Sequence, residues 1–479
     1  MSRTKKVSQS SSRAEADNKK LKKRKKRKVT RKKVIPRLPK KKKKEDSWND
    51  KNKYSPQLLR GMKDILPAEQ SARDYLLKKL TDLANAYGFK KIITPILEES
   101  KLFEKSTGLD TDVVKKQMYQ FTDLGGKKVV VRPEFTPSIV RAYIEHGMFN
   151  LPQPLKFFYW GPAFRYERPQ SGRYRQFHQF GLEVLGSNQA LIDAEIILFS
   201  QTFFNDLNLP INIQVNSLGC AHCRSAYREE LVNYLNSHKK SLCPDCQKRL
   251  EKNPLRILDC KNLLCQDIVS RAPQLINFLC KNCEKHFTKV LECLDEANVV
   301  YQLNPYLVRG LDYYTRTVFE IWPVIGEKEE RGKSSLSALG GGGRYDTLIE
   351  SLGGRETPAA GLSYGLERIL QEMKTKNVRI YQARAPQIFF AQVGESAARH
   401  ALRIFNELQS QGLKVAENFG KTSLKAQMKV ADEMGVKLTL ILGHQEVKDK
   451  TIIIRNMKTG NQEHVDVNKL IKEIKKRLK

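Results

Sequence analysis

Apolar residues at Leu76, Leu80, Leu83 and Tyr87 repeat at the spacing of one helical face. They predict an amphipathic helix over Ala68–Tyr87 that stops at Gly88. A strand, Lys91–Leu97, is expected next. Leu155–Glu167 and Gln176–Leu185 read as two strands around the polar loop Arg168–Arg175, an antiparallel hairpin. Residues 217–298 read as a cysteine-rich, mostly helical stretch. Leu307–Ile321 returns to strand, and Ala360–Met373 passes from strand into helix. The last 95 residues change style. Strands Gln387–Val393, Lys414–Asn418 and Lys437–Leu442 alternate there with the helical patterns Ser396–Gln409 and Ser423–Met434. Such alternation predicts a separate small α/β domain.

Residues 1–52 break every pattern, with almost no apolar content and with basic runs such as Leu21–Lys28 and Lys40–Lys44. They cannot bury enough surface to offset the entropy of ordering, so a disordered tail is expected. Of the +34 net charge, +17 falls in residues 1–50, where 22 basic residues face 5 acidic ones. The remaining residues carry 64 basic and 47 acidic side chains, so the body is also basic and suits an anionic partner. The tail reads equally as an RNA-gripping polycation and as a solvated or address segment. At 479 residues and 40% hydrophobic, the chain suits about three globular domains. No apolar run approaches the roughly 20 residues of a membrane span, and there is no secretory apolar region, so a cytoplasmic protein is expected. The nine cysteines accordingly read as reduced thiols.

Two sequences look like the end of a phosphate-binding loop. Both Gly332-Lys333-Ser334 and Gly420-Lys421-Thr422 lack the motif's first glycine, whose places hold Glu327 and Val415. The hairpin is more informative. Strand alternation puts Arg165 with Glu167 on one face, and Phe177, Gln179, Gly181 and Glu183 on one face of the second strand. His178, Phe180 and Leu182 lie behind. A face with that many charges is unfit for a core and should meet a polar ligand. Arg309, Asp312 and Arg316 repeat the theme among aromatic and β-branched residues. Gly340–Gly343 reads more readily as a turn, although four glycines also permit close backbone approach. Arg368 stands beside the helical stripe Leu362, Leu366 and Ile369, and the nearby glycines favour an anion contact.

The segment FRYERPQSGRYRQFHQFGLE, Phe164 to Glu183, resembles the second class-defining motif of class II aminoacyl-tRNA synthetases in its histidyl form. Gly361–Arg368 is similar to the third motif, and Phe89–Glu99, with Pro95 inside it, resembles the first, which forms the family's dimer interface. LVRGLDYYTRTVFE, Leu307 to Glu320, resembles the histidine-specific motif of histidyl-tRNA synthetases, and RGMKDILP, Arg60 to Pro67, their usual opening. The likeness spans roughly residues 54–479. It implies an α+β catalytic domain built on an antiparallel sheet, over 53–216 and 299–375, with a helical insertion over 217–298. A linker over 376–384 would lead to a C-terminal α/β anticodon-binding domain over 385–479. The implied activity is activation of L-histidine by ATP with Mg2+ to histidyl-adenylate, then transfer to the 3′ end of histidine tRNA by a cytoplasmic homodimer.

By position, the resemblance implies that Arg165 and Arg309 hold the α-phosphate as the catalytic arginines. Glu167 would meet the adenine amino group, Phe177 would stack on the ring and Arg368 would meet the γ-phosphate. Glu134, Thr136 and Gln179 would bind the substrate ammonium, and Glu183 and Tyr314 the two imidazole nitrogens. Tyr313 would line the pocket. One departure stands beside this set, because the family often has glycine where this chain has Phe135. Arg168, Gln170 and Arg173 are assigned to the tRNA acceptor end. Lys421, Lys425 and Lys429 suit phosphate contact in the anticodon-binding domain, and equally an ordinary solvated helix face.

Cys220-x-x-Cys223, Cys243-x-x-Cys246 and Cys280-x-x-Cys283 all have metal-knuckle spacing, with Cys260 and Cys265 as further candidates. One structural zinc is expected, with Cys243 and Cys246 among its ligands; incidental buried thiols are the other reading. Two rival functions remain, a regulatory relative in histidine biosynthesis and a sensor of uncharged tRNA. Such relatives tend to lose substrate or ATP residues, and here Glu134, Arg165, Gln179, Glu183, Arg309 and Arg368 are all present.

Overall fold

The computed structural model describes residues 55–108, 111–169, 172–324, 337–380 and 386–478. The basic tail, Gln170 and Gly332–Ser334 therefore lie outside the described residues.

The first helix, Pro67–Ala86, starts on a proline whose missing N–H no helix start needs, with Glu69 in the favourable first turn. Leu76, Leu80 and Ala84 are fully buried. The helix ends where Gly88, at φ 80°, turns the chain, and Phe89 N donates back to Ala84 O at 3.0 Å. The helix packs on an eight-stranded sheet. Its order is Lys90–Lys91, Leu155–Phe164, Gln176–Leu185, Ala359–Gly365, Gly340–Arg344, Thr315–Pro323, Ile211–Ser217 and Tyr301–Leu303. The two edge pairings are parallel and all the central ones antiparallel.

Alternation along these strands sorts the two faces. Phe180, Leu182, Val184, Phe319, Leu362 and Tyr364 point into one core with the helices Pro67–Ala86, Ala190–Asp206 and Lys281–Glu296. Gln179 and Glu183 point to the other side. Burying each large apolar side chain of that core contributes roughly 1.5–3 kcal/mol.

Four expectations are corrected. Lys91–Leu97 is not one strand. Lys90–Lys91 pairs with Phe157 and Phe158, whereas Leu97–Glu99 joins a separate three-stranded sheet with Lys128–Val131 and Tyr119–Thr122. Pro95, which has no N–H to give a ladder, lies in the bend between them. Arg132 grips this bend, donating from Nη1 to Thr94 O at 2.9 Å and Pro95 O at 3.2 Å. The first hairpin strand stops at Phe164, so Arg165 and Glu167 belong to the connection. Leu307–Tyr314 is a loop, and the strand begins only at Thr315. Gly340–Gly343 is strand rather than turn, because its neighbours leave no room for side chains: a Cβ on Gly340 would lie 2.6 Å from Ser363 O.

The C-terminal domain has its own five-stranded sheet. Val415–Glu417, Ile388–Gln392 and Leu438–Leu442 are parallel, as the alternation predicts. Thr451–Asn456 and Gln462–Asp466 extend the sheet antiparallel, and the helix Leu470–Leu478 follows. Neither strand nor helix there was anticipated from the sequence.

Candidate active site

A cavity of about 330 Å³ opens on the polar face of the catalytic sheet. In its lining Glu183, only 1% exposed, accepts hydrogen bonds from Thr136 Oγ1 at 2.7 Å, Tyr159 OH at 3.3 Å and Tyr345 OH. Burial raises its carboxyl to about 8 despite the Tyr345 and Thr136 hydroxyls, with nearby Glu134 adding to the rise. Glu134 accepts from Tyr313 OH at 2.8 Å and Thr107 Oγ1 at 3.1 Å, and burial lifts its pKa also. Gln179 Oε1 is buried with no hydrogen-bond partner among the described residues. Tyr314 is buried and lines the same cavity, its ring centroid 4.7 Å from that of Tyr313.

Phe135 also borders the cavity, but its ring is taken up by the wall. It stacks on Tyr159 at 4.4 Å between centroids, with the Arg132 guanidinium 3.7 Å from its own centroid. Gly161 makes this possible, since a Cβ there would come within 3.2 Å of the Phe135 ring.

Arginines line the same cavity, and the charges of Arg165 and Arg309 partly offset the rise at Glu134. Arg165 Nε donates to Pro133 O at 3.0 Å, and its guanidinium lies 5.4 Å from the Phe177 ring centroid. Arg309 pairs with Glu320 at 2.7 Å and lies 5.5 Å from the Tyr314 ring. Burial opposes the Arg309 charge, but Tyr314 and Glu320 more than compensate and hold its pKa above the ordinary value. Its Nε has no partner among the described residues. Arg368 donates from Nη1 to Ala338 O at 2.7 Å. Burial, then repulsion from Arg173 and Arg165, pushes its pKa down to about 10. Arginines that repel one another in a buried site favour a polyanion between them.

Glu167 and Phe177 also line the cavity, with Arg173, which stands 3.8 Å from Glu167. Arg168 is exposed, on the connection outside the cavity lining. Lys421, Lys425 and Lys429 are exposed at the start and along one side of the helix Leu424–Glu433.

Four participants escaped the sequence reading: Thr107, Tyr159, Tyr345 and Gly361. The three hydroxyls donate to the buried carboxylates. A Cβ on Gly361 would run into the Glu183 carboxylate. Only Gly361 carried a signal, since it opens the motif that ends at Arg368. The helical stretch contributes as well, because Arg256 lines the cavity and pairs with Asp112 at 2.9 Å.

The cysteines form two separate groups among the described residues. Cys243 and Cys246 meet Cys260 and Cys265, whereas Cys220 and Cys223 meet Cys280 and Cys283. Within each group the four sulfurs lie within 4.8 Å of one another.

A mainly antiparallel sheet flanked by helices, with buried carboxylates and arginines lining one cavity on its polar face, defines a class II aminoacyl-tRNA synthetase. The family model for histidyl-tRNA synthetase matches residues 61–220 and 266–369, and that for the anticodon binding domain matches 387–477. The histidine–tRNA ligase of Thermodesulfovibrio yellowstonii is 42% identical over 426 residues, covering 89% of this chain and 99% of the relative. That of Desulforamulus reducens is 43% identical over 419 residues, covering 87% and 98%. The apo crystal structure of S. aureus histidyl-tRNA synthetase superposes with a TM-score of 0.72 at 33% identity, covering 88% of this chain and 100% of that one. The chain belongs to the histidyl-tRNA synthetase family.

Proposed function

We propose that this chain is a histidine–tRNA ligase, joining L-histidine to histidine tRNA by way of histidyl-adenylate. The observation that carries this reading is one cavity lined by the two buried carboxylates Glu134 and Glu183 together with Arg165, Arg309 and Arg368. Glu134, Thr136 and the unpartnered Gln179 Oε1 receive the ammonium of histidine. Glu183 and Tyr314 take the two imidazole nitrogens, with Tyr313 and Phe135 as pocket wall. An analogue lacking either nitrogen leaves a buried polar group unpaired, which makes the pocket selective.

ATP enters with Mg2+, its adenine against Phe177 and Glu167 and its γ-phosphate on Arg368. The histidine carboxylate attacks the α-phosphorus and pyrophosphate leaves. Arg165 and Arg309 stabilise the charge that builds on the α-phosphate oxygens. No enzyme nucleophile is required, since alignment and charge stabilisation suffice. The tRNA 3′ hydroxyl then takes the histidyl group from the adenylate, guided by Arg168, Gln170 and Arg173. Residues 53–216 and 299–375 serve as catalytic domain around the insertion 217–298, with 376–384 as linker and 385–479 reading the anticodon.

Two chains pair through the segment Phe89–Glu99, a reading supported by the exposure of Ile93, Ile96 and Leu97. No helix of the described residues is long and apolar enough to cross a membrane, and nine free thiols suit a reducing cytoplasm. The group Cys243, Cys246, Cys260 and Cys265 holds a structural zinc inside the insertion. ATP–pyrophosphate exchange with each amino acid in turn, without tRNA, tests the central claim. Exchange with histidine alone is expected; a folded chain that exchanges with none is a regulator or sensor instead.

A further inference from the structure

We propose that Cys220, Cys223, Cys280 and Cys283 bind a second zinc ion, and that this ion fastens the histidine pocket to the base of the insertion. The Sγ atoms of Cys220 and Cys223 are 3.6 Å apart, and all four lie within 4.8 Å of one another. A tetrahedral zinc with Zn–S near ~2.3 Å requires sulfurs about 3.8 Å apart, so the group is already spaced for the ion. A disulfide would draw two sulfurs to about 2.05 Å and leave the others without a role, and none of these cysteines is bridged. Cys223 and Cys283 are each 1% exposed, which argues against a reactive surface site.

The surroundings fit a thiolate cluster. Cys220 directly precedes the helix Ala221–Ser237, and Cys280 directly precedes Lys281–Glu296. The backbone N–H of Cys280 donates to Cys223 Sγ at 3.1 Å, joining two segments 57 positions apart. Gly219, at φ 59°, lets the chain enter this corner, where a Cβ would lie 2.5 Å from that of Cys223.

The position of the cluster gives it a second consequence. Leu218 N donates to Arg316 O at 2.6 Å, and Arg316 N donates to Gly219 O at 2.8 Å. Arg224, the residue after Cys223, donates from Nη1 to Tyr314 O at 3.1 Å. The residues flanking the first knuckle thus hold the backbone of Tyr314 and Arg316, the latter in the left-handed region at φ 49°. The ion acts as a positioning element for Tyr313 and Tyr314. That role rests on the proposed histidine pocket; binding of the ion does not.

The test begins with zinc content of the full chain, purified without chelator. One ion per four-cysteine group is expected. Cobalt exchange should produce the thiolate-to-metal and ligand-field bands of a tetrahedral sulfur site. Replacing Cys280→Ser with Cys283→Ser should remove one ion, and Cys260→Ser with Cys265→Ser the other. The first double variant should raise KM for histidine at least about five-fold, and more than KM for ATP. Should it fail to fold, a thiol-blocking mercurial added to the native chain with a zinc indicator should release both ions. A native chain holding no zinc, or a Cys280/Cys283 variant that keeps as many ions as the parent, overturns the site. An unchanged KM for histidine in a variant that has lost the ion overturns its positioning role, whether or not the ligase reading stands.

Discussion

Glu183 is a carboxyl that burial holds at about 8, so at neutral pH it is mostly protonated when the pocket is empty. Its folded-state pKa lies above the unfolded one. The stabilisation it gives is therefore complete below roughly pH 4.5 and disappears as pH rises through about 8. Glu183→Gln keeps the shape of the neutral form and removes that titration. Without histidine, the variant and parent should melt alike near ~pH 5, and the variant should melt higher near ~pH 8.5. Calorimetric scans across that range decide it, and parallel curves at every pH would mean the carboxyl does not titrate there. At this scale the sequence was uneven. Glu134, Thr136, Gln179 and Glu183 were singled out from motif and alternation, and they share one cavity. Thr107, Tyr159 and Tyr345 were missed because a hydroxyl serving a distant carboxylate looks like any other core or loop residue until the chain is folded.

Hairpin, strand-into-helix and terminal α/β alternation were legible because each has a period that the fold obeys. What periodicity missed were the ends. Arg165, Glu167, Arg309 and Asp312 lie beyond strand termini, where a side chain is aimed by its connection rather than by the pleat. The glycine run failed for a different reason. Its demand comes from neighbours remote in sequence, and a Cβ at Gly341 would sit 2.6 Å from Phe319 O and 2.5 Å from Arg309 Nη1. Gly341→Ala should therefore displace Arg309 and, on the role proposed for that arginine, slow histidine-dependent pyrophosphate exchange at least ~10-fold, since misplacing a catalytic group by about 1 Å is that costly. The check is exchange rate beside far-ultraviolet dichroism. Full activity in the alanine variant would show that the guanidinium has room to move.

The whole chain carries +34, half of it in the first 50 residues. Removing residues 1–50 should flatten the dependence of log Kd for tRNA on log salt, because fewer counterions are released on binding. Filter binding over a salt series measures it, and an unchanged slope leaves the tail as an address or spacer. At the same scale, Ile93, 80% exposed in the segment assigned to dimerisation, is the residue to charge. Ile93→Asp should shift the sedimentation equilibrium toward monomer at concentrations where the parent is dimeric.

Arg132 links that segment to the pocket. Its Nη1 grips the carbonyls of Thr94 and Pro95, while the guanidinium lies over Phe135, beside Glu134 and Thr136 in the chain. In the proposed dimer, a bend loosened by loss of the second subunit would release one side of the proposed histidine pocket. Output per molecule should then fall with dilution, so that a cell making too little of this protein would lose charging capacity faster than it loses protein.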